Sequence, residues 1–173
     1  RVHHRDIRDV TIEQFAKRHH VDAAQAQRVT ALAQSLIEQL AREDAGLEPV
    51  RHFLDWAGRL HEVGISIAQG AYHKHSAYIL ANADMPGFSR QEQAWLSNLV
   101  LAQRGKLSKM RAAFDADERL AVLAFCLRVA VIVYRSRRTL KLPSLRASRR
   151  AHAFRLDVDA AWLADQSLIG LAL

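Results

Sequence analysis

The chain has 173 residues, half of them hydrophobic, and a formal net charge of +7. This length corresponds to about one ordinary domain with its own core. The longest apolar runs fall short of the roughly 18 residues that span a bilayer, and a lone cysteine, Cys126, cannot form an internal disulfide, so we expect a cytoplasmic protein without a membrane span.

Helix signals dominate the first half of the chain. Thr11 is predicted to cap a short helix, and Asp22 to cap a long one that ends at Gly46. The long helix has one apolar stripe with a three-four spacing, formed by Val29, Leu32, Ala33, Leu36, Ile37 and Leu40. A third helix should follow over about residues 48–64.

The next segments continue the helical pattern. A fourth helix is predicted over about residues 75–82, and residues 84–88 form a turn. Ser89 and Glu92 have the spacing of a capping box, which predicts a fifth helix that Gly105 closes.

The last third contains the most apolar helix and then a change of pattern. Asp115 and Glu118 resemble a second capping box, opening a central, buried helix over about residues 120–134. Residues 140–142 and 153–156 alternate as the two strands of a small hairpin would.

The apolar stretch from residue 162 to residue 173 predicts a final helix. It has no polar end or cap, so we expect the natural chain to continue beyond it. Trp56, Trp95 and Trp162 occupy apolar helical positions and are expected to pack in the core. The prediction is one all-α domain over residues 1–173, with about six to eight helices and a short β-hairpin near its C-terminus.

Positive charge is concentrated in the second half of the chain. Between Arg119 and Leu156 there are ten Lys or Arg residues and no Asp or Glu, and further cations precede this stretch at positions 104–111. A localised excess of this kind favours a polyanionic ligand. The alternative is a solvated basic face without a ligand.

Histidines and a carboxylate form the only candidate metal chemistry. His61 lies beside Glu62 at the end of the third helix, and His75 follows about a dozen residues later. Imidazole and carboxylate are suitable ligands for a hydrolytic divalent metal. The alternative is that His61 and His75 are core histidines with backbone partners.

Three segments carry a resemblance to a known family: residues 60–67 (LHEVGISI), 73–80 (HKHSAYIL) and 84–89 (DMPGFS). They resemble the C-terminal region of the exopolyphosphatase and guanosine pentaphosphate phosphatase family. The similarity extends to residues 20–29 and 127–137, and so covers nearly the whole chain.

The resemblance implies a helical HD-like domain at the C-terminal end of a longer enzyme. In that family catalysis is attributed to N-terminal actin-like domains, which bind phosphate and magnesium and whose glycine-rich loops this sequence lacks. The resemblance therefore implies a catalytically silent chain, with magnesium expected only in the parent's catalytic domains. Its expected partners are those domains, inorganic polyphosphate and a second copy of the protein.

Departures from a hydrolytic HD pattern argue against a metal in this chain. Gln25 stands where the first ligand histidine would be, Glu62 replaces the aspartate, and Arg128 falls where the final aspartate would lie. Gln103 with Arg104 replaces the family's His-Arg pair. An arginine cannot ligate a cation and repels one, whereas it suits an anion.

We therefore predict a basic track that holds polyphosphate and feeds it to the catalytic lobes, formed by Lys74, Arg104, Lys106, Lys109, Arg128, Arg137 and Arg138. One alternative is a residual metal-dependent phosphohydrolase that uses His61, Glu62 and His75. The other is a basic nucleic-acid-binding or structural dimerisation domain. The small number of aromatic residues expected on the surface argues against nucleic-acid binding through base stacking.

Overall fold

The structure is a computed structural model that describes residues 5–151 and 153–166. The described part contains eight α-helices and one antiparallel hairpin, in agreement with the predicted all-α class. The helices are α1 (Ile7–Arg18), α2 (Ala23–Ala41), α3 (Arg51–Leu60), α4 (Tyr72–Asn82), α5 (Arg90–Leu101), α6 (Arg111–Ala116), α7 (Glu118–Val133) and α8 (Ala160–Ala164). Three short 3-10 helices cover Ala45–Val50, Val63–Ser66 and Leu107–Met110.

Helices α2 and α7 form the centre of the bundle. The predicted stripe of α2 is buried throughout, and α2 packs against both α3 and α7. Helix α7 is apolar on nearly every side and is largely buried, as its sequence predicted. Trp56 is buried, and Trp95 and Trp162 are partly buried against the same core, which confirms the prediction that the tryptophans pack inward.

Two predicted caps are confirmed. The Asp22 carboxylate accepts a hydrogen bond from the Gln25 backbone N–H, which starts α2. Ser89 and Glu92 form the reciprocal capping box of α5.

Two other predicted caps are wrong. Asp6 caps α1, whereas Thr11 lies inside that helix, buried, with its hydroxyl donating to the Pro86 carbonyl. Asp117 caps α7, whereas Asp115 belongs to α6. In both cases the carboxylate of the aspartate accepts a hydrogen bond from a backbone N–H of the first helical turn, that of Arg8 in α1 and that of Arg119 in α7.

Several boundaries also differ from the predictions. Helix α2 ends at Ala41, before Gly46, because Asp44 caps the 3-10 helix Ala45–Val50 that leads into α3. Helix α3 ends at Leu60, before Gly64, and α4 begins earlier than predicted, at Tyr72.

The predicted hairpin is present, but its first strand is misplaced. Strand β1 is Arg146–Arg150 and pairs antiparallel with β2, Ala153–Asp157, whereas residues 140–142 are irregular. Phe154 of β2 stacks on Phe125 of α7 with ring centroids 4.6 Å apart, which holds the hairpin on the bundle. Of the predicted last helix, the described part is α8, and residues 167–173 lie outside the described residues.

Within the described part of the chain, none of the helices combines the length and the hydropathy needed to cross a bilayer.

Candidate functional site

A polar cavity of about 620 Å³ opens where the ends of α3, α5 and α7 meet the start of α4. We call it the basic cavity. Its lining consists of Gln25, His61, Glu62, Ile65, Gln69, Tyr72, Gln103, Arg104, Gly105, Arg128, Val131, Ile132, Arg135 and Arg137. It therefore brings together, from distant parts of the chain, every position at which the sequence departs from a hydrolytic HD pattern.

The chain folds tightly behind His61 and Glu62. The Gly64 N–H donates to the Ser76 hydroxyl at 2.8 Å, and that hydroxyl donates to the His61 carbonyl at 3.0 Å. A Cβ at Gly64 would lie 2.3 Å from the Ser76 backbone nitrogen, so only glycine allows α4 to approach this closely. The contact fixes the segment that carries the two site residues against α4.

His61 is buried and its proton position is determined by its partner. Its Nδ1 lies 2.6 Å from the Gly58 carbonyl oxygen, and a carbonyl only accepts hydrogen bonds, so Nδ1 carries the proton. Burial lowers the pKa of the ring, with a smaller contribution from the nearby Arg137 cation. At neutral pH His61 is therefore a neutral imidazole whose Nε2 is a hydrogen-bond acceptor.

Glu62 is paired with Arg137. The two guanidinium nitrogens donate to the two carboxylate oxygens at 2.6 and 3.1 Å, and Glu62 is only 7% exposed. Arg137 also donates to Asp22 at 3.1 Å. The hydrogen bond to Glu62 is the largest cause that raises the pKa of Arg137, so this cation is permanent.

Arg137 adopts an unusual backbone conformation, with a φ of +59°. Its carbonyl accepts a hydrogen bond from Arg28, and Arg28 also donates to the side chain of Gln25. The Gln25 amide in turn donates to the Tyr134 carbonyl. The network ties the end of α7 to the start of α2 and offsets the cost of the left-handed conformation.

Arg128 lines the basic cavity but makes no hydrogen bond to Glu62. Its guanidinium donates to the carbonyls of Ala102 and Gly105, at 3.0 and 3.1 Å. The guanidinium group that pairs with the Glu62 carboxylate is that of Arg137. Burial lowers the pKa of Arg128.

The remaining cations of the cavity are exposed. Arg104 lies over the ring of Tyr72, 5.2 Å from its centroid, and Arg135 follows the end of α7. Four arginines and a single acid line the cavity, and that acid is already paired, so the surface has a clear positive excess.

The predicted site residues divide into two groups. Three of the seven predicted polyphosphate ligands, Arg104, Arg128 and Arg137, line the cavity. The other four are exposed and do not line it: Lys74, Lys106, Lys109 and Arg138. Whether any of the seven binds polyphosphate stays a prediction.

The three weak metal candidates are not assembled into a metal site. His61 and Glu62 line the cavity, but His75 does not. Among residues 5–151 and 153–166, no group of three His, Cys, Asp or Glu side chains is placed to hold a metal ion. The bidentate Arg137 contact occupies the carboxylate that would have to serve as a ligand.

Sequence reasoning missed three polar lining residues, Gln69, Tyr72 and Arg135. Tyr72 opens α4 beside the predicted histidines, and burial, followed by the Glu62 charge, raises the pKa of its phenol. Arg135 belongs to the basic run, but no spacing rule separated it from its neighbours. The charge run was the one signal that could have found it.

A second cavity of about 590 Å³ lies between α1, α2 and α3. Its lining is largely apolar and includes two acids, Glu13 and Asp55, with two cations, Lys17 and Arg59. Burial raises the pKa of Asp55. Balanced charge gives this cavity no preference for an anion.

Comparisons with known proteins match nearly the whole chain. Residues 7–173 match the family model described as Ppx/GppA phosphatase, domain III. A guanosine-5'-triphosphate,3'-diphosphate pyrophosphatase from Pseudoalteromonas translucida is 35% identical over 99% of this chain. A protein with the same name from Vibrio atlanticus is 30% identical over 97% of the chain, and one from Vibrio cholerae is 31% identical over 94%. The chain covers 35%, 34% and 33% of these curated relatives, about a third of their length.

Proposed function

Because this chain belongs to the Ppx/GppA phosphatase family, in which it corresponds to domain III, we propose that it is one part of a longer phosphohydrolase and binds that enzyme's polyanionic substrate. The substrate class is inorganic polyphosphate or a guanosine polyphosphate. The relatives' names, which specify a guanosine triphosphate diphosphate pyrophosphatase, support this class. The chain's own role is binding, and the acid anhydride is cleaved elsewhere in the parent.

The observation that carries the proposal is the charge of the basic cavity. Arg104, Arg128 and Arg135 have no carboxylate partner among the described residues, and all three line the same cavity. Guanidinium groups bind phosphate oxygens through paired, charge-assisted hydrogen bonds. A chain of phosphates is therefore a better ligand for this surface than a cation or a neutral molecule.

The arrangement of Glu62 argues against metal-dependent hydrolysis as the chain's own activity. Its two oxygens already accept from a guanidinium group, and among the described residues no third His, Cys, Asp or Glu joins His61 and Glu62 to complete a metal site. Magnesium in the parent's catalytic domains and a homodimer, both implied by the family resemblance, stay predictions.

The proposal is tested with the complete parent protein. The double variant Arg104→Ala, Arg135→Ala should weaken polyphosphate binding by about tenfold or more, since each charge-assisted contact contributes about 1.5–3 kcal/mol when fully formed. Its matched control is Arg90→Ala, Arg146→Ala, which removes two exposed arginines outside the cavity and the same total charge.

The salt dependence provides the second readout. Loss of two phosphate contacts should reduce the slope of log affinity against log salt by about 1.4. Equal affinity and equal slope in the cavity variant and the control would refute the proposed binding role.

A further inference from the structure

A groove of about 800 Å³ lies between α6, α7 and strand β2, and we call it the aromatic groove. Three phenylalanines line it, Phe114 from α6, Phe125 from α7 and Phe154 from β2, and all three are only partly buried. Leu107, which begins the 3-10 helix before α6, lines the same groove and is 39% exposed. Several large apolar side chains therefore meet the solvent on one concave surface.

One side of the aromatic groove is a single face of α7. Ala121, Phe125 and Ile132 line the groove, and their spacing along the chain places them on one side of the helix. All three are partly exposed, whereas most of α7 is buried. A helix that is apolar on nearly every side is expected to be covered on every side. The described residues leave this face partly open, so an apolar ligand can bury it.

The aromatic groove also carries two cations, Arg111 and Arg128. Arg128 donates to the carbonyls of Ala102 and Gly105, which leaves further N–H groups of its guanidinium free. One acid, Asp115, lines the groove, and within the described part of the chain neither arginine forms an ion pair with it or with another carboxylate. Burial lowers the pKa of Arg128, as expected for a cation that is partly removed from water without a counter-ion. An anionic group in the groove would therefore be stabilised by both arginines.

We propose that the aromatic groove binds an amphiphilic carboxylate, a ligand in which an alkyl chain ends in one carboxylate group. The alkyl chain covers the exposed face of α7 and the phenylalanine rings, and the carboxylate accepts hydrogen bonds from Arg111 and Arg128. A volume of about 800 Å³ is in the usual range for a small-molecule site. A phosphate chain would leave the apolar walls exposed to water. This site is therefore separate from the polyanion site proposed for the basic cavity, although Arg128 lines both.

The test measures binding of decanoate to the 173-residue chain by isothermal titration calorimetry at constant salt, at concentrations too low for micelles. Octanoate and decyltrimethylammonium are the comparison ligands. Decanoate should bind about fifteenfold more tightly than octanoate, because each of its two additional CH₂ groups contributes about a factor of four when buried. It should bind about tenfold or more tightly than decyltrimethylammonium, because the arginines repel a cationic head group.

Two variants locate the ligand. Ala121→Trp fills the groove from a partly exposed position and should lower the affinity for decanoate about tenfold or more, whereas Ala81→Trp, at an exposed position of α4 outside the groove, should leave it unchanged. Arg111→Met should lower it several-fold, and Arg90→Met, which removes an exposed arginine elsewhere, is its control. Circular dichroism shows whether each variant folds, and the comparison of the three ligands in the unaltered chain decides the question if one does not.

Three results would overturn the proposal. The first is equal affinity for decanoate and decyltrimethylammonium, and the second is unchanged decanoate binding by a folded Ala121→Trp variant. The third concerns the complete parent protein, in which another domain could cover the groove. If a thiol reagent alkylates the Ala121→Cys variant of the 173-residue chain but not that of the parent, and the parent does not bind decanoate, the groove is a contact between domains.

Discussion

The ion pair between Arg137 and Glu62 gives the sharpest prediction about stability. In the variant Arg137→Met the Glu62 carboxylate, only 7% exposed, loses two charge-assisted hydrogen bonds. Hydrogen bonds to charged groups contribute about 1.5–3 kcal/mol each, and because Arg137 is 43% exposed, screening by solvent reduces the sum of the two to about 2 kcal/mol. For a chain of this length that loss lowers the Tm by about 4–8 °C.

A double-mutant cycle isolates the pair. Arg137→Met, Glu62→Gln and their combination are compared by thermal unfolding monitored by circular dichroism, and the exposed neighbour substitution Arg138→Met is the control, expected to change stability by less than about 0.5 kcal/mol. We expect the double variant to be about 1–2 kcal/mol more stable than the sum of the single losses predicts. If the two single losses simply add, the pair does not hold the end of α7 in place.

Three further predictions concern single positions. The folded-state pKa of His61 lies below its ordinary value of 6.5, so the stability that its neutral form contributes is present above that pH and lost as the pH falls below it. The variant His61→Gln should therefore have an unfolding free energy that changes less between about pH 7.5 and 5.5 than that of the unaltered chain, measured by urea unfolding at each pH. Burial raises the pKa of the Cys126 thiol, so its alkylation should be on the order of a hundredfold slower in the native protein than in urea. Gly58→Ala places a Cβ 2.2 Å from the Thr30 hydroxyl oxygen and should lower the free energy of urea unfolding by about 1–3 kcal/mol. The additional substitution Thr30→Ala should restore part of this loss. Full stability of Gly58→Ala alone would contradict the close packing of α2 on α3.

Local signals predicted the helices well where a cap and an apolar stripe agreed. Asp22 and Ser89 were found because their partners lie within three residues along the chain. Thr11 and Asp115 were misassigned because the cap depends on which nearby side chain reaches the first free N–H groups, and a better-placed aspartate was available in each case.

The site was predicted in part. Family resemblance indicated the positions of Gln25, Glu62, Gln103 and Arg128, and the fold brings all four to one cavity. The partner of Glu62 was not predictable, because Arg137 is 75 residues away and reaches the carboxylate only through the left-handed turn after α7. Charge counting treated Arg137 as a free cation, although the structure shows it paired.

A crystal structure of the chain with tripolyphosphate tests the central claim, that the basic cavity binds phosphate, most directly. We predict phosphate oxygens about 3 Å from the guanidinium nitrogens of Arg104 and Arg135, with the Arg137–Glu62 pair intact. Two results would contradict the account. The first is phosphate bound only outside the cavity, and the second is a divalent ion ligated by His61 and Glu62 with Arg137 displaced.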